Sequence, residues 1–356
     1  MTSSLPLLVF NPSHDEALAA GYPYYYPSTV ARRLALRWAA LPALWHDGPA
    51  WVWLPDGAEQ PDAAPWCSGV QFVRTRQLTP RFWQTQVQCI DCWGWDLLLR
   101  QQLLKAGAPA SLLPDDASLS HISRLSSRES TPWLLRRMLD DARLSSLPLV
   151  GESVLVHSVS EFEAILQQWG GAVVKSLWSC SGRGVFRVGA QPTASDSGRV
   201  ARLLCQQGAV ELEPVQQGIL DFGLEFVCQP ARGVRYLGAS LFETGRSGAW
   251  GGNVVAPQHV IVDRITRAIP GHGMWLDSVV EALTDALEDL LGSAYSGCLG
   301  VDLLVCRTPE GAALLPCVEM NLRRTMGHVA LKLAERLECV DGLPPELREL
   351  WCPCPV

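Results

Sequence analysis

Charge is scarce in this chain, and positive charge is the scarcer sign. Only 18% of its 356 residues are charged, with 29 Lys and Arg against 36 Asp and Glu, a formal balance of −7. So few charges argue against long disordered tracts. No basic cluster occurs along the sequence, so no nucleic-acid partner is expected, because a phosphate backbone needs concentrated Lys and Arg. A polyanionic ligand has to be met by a few individually placed cations. Long apolar runs are missing too. None approaches the ~20 residues needed to cross a bilayer, so no membrane association is expected. The first eleven residues carry no basic segment, and the apolar run 5–10 is too short for a signal peptide. These absences predict a soluble, cytoplasmic protein. There is no internal repeat and no low-complexity segment.

Nearly half of the residues are apolar (48%), enough to build a sizeable core, and the length suits two or three packed lobes. The twelve cysteines are scattered through a long chain without an export signal, and most sit in apolar contexts where a free thiol behaves as a small hydrophobe. Cys89/Cys92 and Cys352/Cys354 together supply four potential zinc ligands. They lack a knuckle of Gly and turn residues, which favours ordinary reduced thiols.

The first third alternates short apolar runs with helical patterns, as a parallel α/β layer does. Strands are expected at 7–10, 51–54 and 70–73, and helices at 31–44 and 95–106. Residues 112–114 would be a last short strand or connector. Helical periodicity covers 119–144. A strand 153–156, helix 159–169 and strand 172–175 follow, then strands at 185–188, 210–213, 224–229 and 234–242. A long helix is expected over 276–291, a hairpin-like pair over 300–306 and 313–320, and a helix over 327–337. Residues 341–356 read as a peripheral tail.

The chemistry-bearing residues lie in the second half. Val173-Val174-Lys175 ends an apolar strand, and Ser179-Cys180-Ser181-Gly182-Arg183-Gly184 follows. Glycines and serines let backbone N–H groups approach phosphate oxygens, and a lysine at the strand end adds a point charge. A Gly/Ser loop after a strand is also common without any ligand, and no Gly-Lys-Ser/Thr opens a helix, so this is not a P-loop. Further on, Gly300-Val301-Asp302 places an acid in an apolar strand. Val318-Glu319-Met320-Asn321-Leu322-Arg323 places Glu319 and Asn321 on one face of an extended segment. Three oxygen ligands from paired strands suit Mg²⁺, which favours carboxylates together with substrate phosphates. The alternative is an edge strand whose acids face water, but both segments have apolar flanks.

In this order the elements resemble the ATP-grasp superfamily, over roughly residues 120–337. The resemblance implies an α/β protein with an N-terminal parallel α/β pre-grasp domain (1–117). A two-lobed grasp domain (118–340, divided at 212/213) would follow. It implies ATP and Mg²⁺, or Mn²⁺ in its place, as cofactors. Lys175, Ser179, Ser181, Gly182 and Gly184 would hold phosphates, and Asp302, Glu319 and Asn321 the metal. Arg128 would contact the α-phosphate, with Arg124 as the alternative. The run Glu211-Leu212-Glu213-Pro214-Val215 resembles the hinge that holds adenine, with Glu213 accepting from the adenine amino group and Val215 contributing backbone. Glu225 would hold the ribose hydroxyls, after an insert at 216–222 longer than many members show. Arg323 would neutralise charge on an acyl phosphate beside Lys175.

The activity so implied is that of a ligase. It would activate a small-molecule or peptide carboxylate as acyl phosphate for attack by an amine or thiol, releasing ADP and phosphate. No protein nucleophile is required, in keeping with the lack of a convincing Ser/His/Asp or Cys/His triad. A small-molecule kinase on the same fold and a non-catalytic nucleotide-binding protein are the rival readings; a homo-oligomer is compatible with all three. For the acceptor side, His14 and Asp15 follow the first strand, where α/β sheets present ligand-binding loops. Asn253 and Arg324 are further candidates, as are the aromatic patches at 22–26 and 93–95. Packing between lobes is the alternative for the aromatics and the favoured reading of the tyrosine run, and capping of the turn explains His14 equally well.

Overall fold

The computed structural model describes residues 4–61, 67–179, 184–245, 250–271, 273–336 and 351–352. The chain first builds β1 (Leu5–Val9), α1 (His14–Ala20), α2 (Thr29–Arg37), α3 (Pro42–Trp45), β2 (Ala50–Leu54), β3 (Val70–Arg74), α4 (Pro80–Gln86), β4 (Val87–Cys92) and α5 (Leu97–Lys105). The strands form one parallel sheet in the order β3-β2-β1-β4. Leu7 and Leu8 in β1 are fully buried on opposite faces, as the continuous apolar run of a doubly covered parallel strand requires. The single helix expected over 31–44 is broken. Trp38 closes α2 and Pro42 opens α3, because proline lacks the N–H needed to continue a helix but suits its first turn. The last strand of this sheet is β4, and residues 110–112 form only a 3₁₀ turn. The alternation of β4 is weak because it lies at the sheet edge. Cys89 and Cys92 both sit on β4, one exposed and the other buried. Their opposite parity points them to opposite faces, so they do not form one half of a zinc site; Cys354 lies outside the described residues.

Two helices, α6 (Asp116–Leu125) and α7 (Ser130–Leu139), connect to a second unit. It contains β5 (Val154–Val156), α8 (Val159–Trp169), β6 (Gly171–Ser176), β7 (Val185–Gly189), α9 (Ala194–Gln207) and β8 (Val210–Glu213), with an antiparallel sheet ordered β5-β8-β6-β7. Phe162 and Leu166 of α8 pack with Val200 of α9 onto Val174 and Leu212. The helix α9 arises in a stretch that begins as polar and loop-like. A capping box between Thr193 and Asp196 starts it, since each side chain satisfies an otherwise orphaned N–H.

The third unit runs through β9 (Gln217–Gln229), β10 (Gly233–Thr244), β11 (Trp250–Val254), α10 (Gln258–Thr266), α11 (Trp275–Leu291), β12 (Gly297–Thr308), β13 (Gly311–Asn321), α12 (Met326–Glu335) and β14 (Trp351–Cys352). Its sheet is ordered β13-β12-β9-β10-β11-β14. Two expectations change here. Most of the supposed insert, from Gln217 onward, is the first half of β9, paired from Gln217 to Arg307. The tail is not wholly peripheral, because Trp351 and Cys352 pair in parallel with Asn253 and Val254. The apolar face of α11 covers one side of the sheet. On the other side, Val329 and Leu333 of α12 join Leu8 and Trp93 of the first unit in one cluster. Among the described residues no helix is long and apolar enough to cross a membrane.

Candidate active site

The site starts from the register of β12 and β13. Asp302 lies opposite Glu319, and Gly300 opposite Asn321. Facing residues of an antiparallel pair share a face, so the two carboxylates and the amide converge. Asn321 donates its Nδ2–H to Asp302 Oδ2 at 3.1 Å. Withdrawal from water, reinforced by the neighbouring carboxylates of Glu319 and Glu225, pushes the Asp302 carboxyl well above the usual range. Glu319 is met by Arg128 and Glu225 by His328, while among the described cations Asp302 has only the nearby charge of Arg323. Among the described residues no three His, Cys, Asp or Glu side chains form a metal cluster. The seat therefore offers two carboxylates and an amide, a partial oxygen set of the kind Mg²⁺ completes with water and phosphate.

The cations come from the second unit and the α6–α7 break. Lys175, at the end of β6, is buried with its Nζ 2.6 Å from Glu213 Oε1, and it donates to the Val318 carbonyl at 2.9 Å. Burial opposes its charge, yet the attraction of Glu213 and Glu211 outweighs that and holds its pKa above the ordinary value. Arg128 is fastened by its own backbone N–H to the Leu177 carbonyl at 3.0 Å. Its guanidinium donates to the Ser176 carbonyl at 2.6 Å, to Ser179 Oγ at 2.7 Å and to Glu319 Oε1 at 2.5 Å. Arg124 is exposed, its guanidinium 3.2 Å from the His121 ring, so of the two arginines Arg128 faces the site. Glu211, which the sequence placed only at the start of the hinge run, is fully buried between these cations. Burial dominates there, and its carboxyl is pushed up to about 7. The register of β6 and β8 places it opposite Lys175, which no local pattern in the sequence gives.

Of the expected phosphate loop, Ser179 and Gly184 are described; Ser181 and Gly182 lie outside the described residues. Gly184 has φ +80°, and a Cβ there would overlap Ser176 Oγ, so only glycine turns the chain at this point. The hinge residue Val215 is exposed (46%). The Glu213 carboxylate is held on Lys175.

Glu225 is held as well. It is buried, accepting from Thr325 Oγ1 at 2.7 Å and Ser240 Oγ at 2.9 Å, with His328 Nδ1 3.0 Å away. Both oxygens already accept a hydrogen bond, and the residue lies in the cavity wall. Burial opposes its charge, but His328 and the hydroxyls outweigh it and lower its pKa; the same pairing raises His328 to about 10. Asp221, on the same face of β9 and nearer the hinge, is only half-buried and accepts from Thr244 at 2.8 Å.

The first unit closes the site. Asp15, in the first turn of α1, accepts from Arg323 Nε at 2.9 and 3.1 Å. Arg324 does not line the main cavity, and His14 lines only a small neighbouring one with Ser179, Glu319 and Arg323. His14 is buried against Asp96 at 3.0 Å. Arg324 donates to Asp91 at 2.9 and 3.0 Å and lies 4.6 Å from the Trp45 ring centre, bracing the first unit on the third. The carboxylates open on a cavity of about 390 Å³ whose wall includes Asp302, Glu319 and Asn321 together with Asp15, Asn253, Ser179 and Arg323. Tyr22, Tyr24 and Tyr26 are exposed outside it.

No family model and no curated protein matches the sequence. Among solved structures, the chain is similar to a biotin carboxylase–β-γ-ATP complex from Campylobacter jejuni, with TM-score 0.53 and 11% identity over 96% of this chain and 72% of that one. It is also similar to the biotin carboxylase domain of the 2-oxoglutarate carboxylase from Hydrogenobacter thermophilus, solved with MgADP, ADP and bicarbonate. There the TM-score is 0.50 and the identity 10%, over 94% of this chain and 69% of that one. At such identities the likeness is one of fold. The chain has the ATP-grasp fold, with a parallel sheet and two antiparallel sheets.

Proposed function

We propose that the protein is an ATP-dependent ligase that activates a carboxylate as an acyl phosphate for attack by an amine. One observation carries the reading. Arg128 reaches Ser179 of the phosphate loop and Glu319 of the metal seat at once, at 2.7 and 2.5 Å. The two halves of a nucleotide site are therefore within one side chain of each other. The backbone of Pro214 and Val215 would hold the adenine edge, and Asp221 the ribose. Lys175, Arg128 and the loop amides would hold the phosphates. Asp302, Glu319 and Asn321 would hold Mg²⁺, which when bound draws charge from the β- and γ-phosphate oxygens.

For the transfer, a carboxylate oxygen attacks the γ-phosphorus. The bond to the β,γ-bridging oxygen breaks, and ADP leaves with that electron pair. Arg323, held by Asp15, faces the acyl phosphate and stabilises its charge. The amine then adds to the acyl carbon, phosphate departs and the amine proton is lost to solvent. Arg128 has to release Glu319 as the nucleotide enters, exchanging a carboxylate partner for phosphate oxygens.

The test is ADP and free phosphate release with Mg-ATP, across panels of acids and amines. Phosphate should appear only when both are supplied, and Asp302→Asn and Glu319→Gln should each lower turnover at least a hundredfold with the fold intact. Phosphate retained on the acceptor would instead establish a kinase. Undiminished turnover in both variants would remove the metal seat.

A further inference from the structure

The cavity at the carboxylates has walls that a nucleotide does not explain. Phe10, Trp38 and Trp93 line it from the first unit, and Phe242 and Trp250 from the third. The rings are prepacked, with Phe10 edge-on to Trp93 at 5.2 Å between centres and 6.4 Å from Trp38. Rigid aromatic faces of this kind favour stacked or edge-on ring contacts. Charge in the remaining wall is mostly negative: Asp15, Glu225, Asp302 and Glu319. The one cation among the described lining residues is Arg323, already held by Asp15.

From this composition we infer the substrate class of the site: a small monocarboxylic acid with a flat, ring-bearing apolar body and no phosphate group. The inference rests on the ligase reading above and names the acid being activated. A single carboxylate matches the single cationic corner at Arg323, next to the metal seat. A second anion on the acceptor, whether carboxylate or phosphate, would meet no further Lys or Arg among the described lining residues, and an uncompensated charge in a partly buried cavity is costly. Size points the same way. Cavities of roughly 300–1,000 Å³ hold drug-sized ligands, and the roughly 390 Å³ here, part of which the metal and the transferred phosphate would fill beside Asp302, Glu319 and Ser179, is within that range.

One polar group on the ring system also has a partner. The Trp250 indole N–H donates to Asn253 Oδ1 at 2.9 Å. That contact assigns the amide oxygen and turns the N–H₂ end of the buried Asn253 side chain the other way. A ring acid carrying one acceptor, such as a phenol or ether oxygen, is accommodated by that donor.

Direct binding separates this inference from the ligase reading. Calorimetric titration of the full chain with 3-phenylpropionate and indole-3-acetate is compared with succinate, 3-phosphoglycerate and bicarbonate, all with Mg²⁺ and a non-hydrolysable ATP analogue. The ring acids should bind at least tenfold tighter than the other three. Trp38→Ala and Trp250→Ala should each weaken ring-acid binding about tenfold, with the affinity for the nucleotide analogue as the control for folding. Should either variant misfold, Phe242→Leu gives a second reading of the same wall. Equal binding of succinate or 3-phosphoglycerate, or tryptophan variants that bind ring acids normally, would overturn the assignment. Ring acids that bind but never stimulate ADP release would sink the ligase reading and leave the pocket assignment standing. ADP release driven by succinate but not by ring acids would do the reverse.

Discussion

Gly327→Ala is a one-methyl change with a large expected effect. Gly327 lies in the first turn of α12, and a Cβ placed there would overlap Glu225 Oε1. In an open site a glutamate could swing aside. Here Ser240, Thr325 and His328 hold the carboxylate in place, and the backbones of Gly223 and Gly300 also pass close to it, where Cβ positions would lie 2.8 and 2.6 Å from its oxygens. Moving it would break its contacts with Thr325, Ser240 and His328, leaving a buried carboxylate and imidazolium without each other. Losing one partner of a buried ion pair costs roughly 3–5 kcal/mol. At roughly 2–4 °C per kcal/mol for domains of a couple of hundred residues, the melting temperature should fall by roughly 6–20 °C. Differential scanning calorimetry of wild type, Gly327→Ala and Gly198→Ala provides the assay. Gly198 lies inside α9 with nothing within 4 Å of its Cβ position, so alanine there should stabilise by about 0.5–1 kcal/mol. A Gly327→Ala protein melting with wild type would refute the niche around Glu225.

Three further outcomes follow from the same charges. The raised His328, folded at about 10 against 6.5, retains a proton that the unfolded chain loses. Its stabilisation is complete below pH 6.5 and fades toward pH 10, by roughly 4–5 kcal/mol at most. Urea unfolding across that range should show the slope, and His328→Gln should abolish it. Lys175→Met leaves Glu213 and Glu211 buried beside no ammonium. It should destabilise by roughly 3–5 kcal/mol and abolish nucleotide binding; unchanged affinity by titration calorimetry would remove Lys175 from the phosphate site. Arg128→Ala should weaken nucleotide binding at least tenfold, whereas Arg124→Ala should leave it within twofold; the opposite ranking would exchange their roles.

Local rules suffice where one segment carries its own signal. The apolar runs of β1, β6 and β12, the amphipathic faces of α8 and α11, and the parity that aligns Glu319 with Asn321 are all legible in the sequence. So is the order of Lys175, Asp302, Glu319 and Asn321 that resembles an ATP-grasp site. Partnership across long separations is not legible, because it depends on which sheets and helices meet. Glu213 is held by Lys175, Glu225 by Thr325 and His328, Arg323 by Asp15, and Arg324 by Asp91. Each of these pairings redirects a charge that the sequence alone left open to a ligand. The aromatic cavity has the same origin: Phe10 and Trp250 are 240 positions apart and line one space only because α12 packs the first sheet onto the third. Periodicity records which face of an element is buried, and only tertiary packing decides against what.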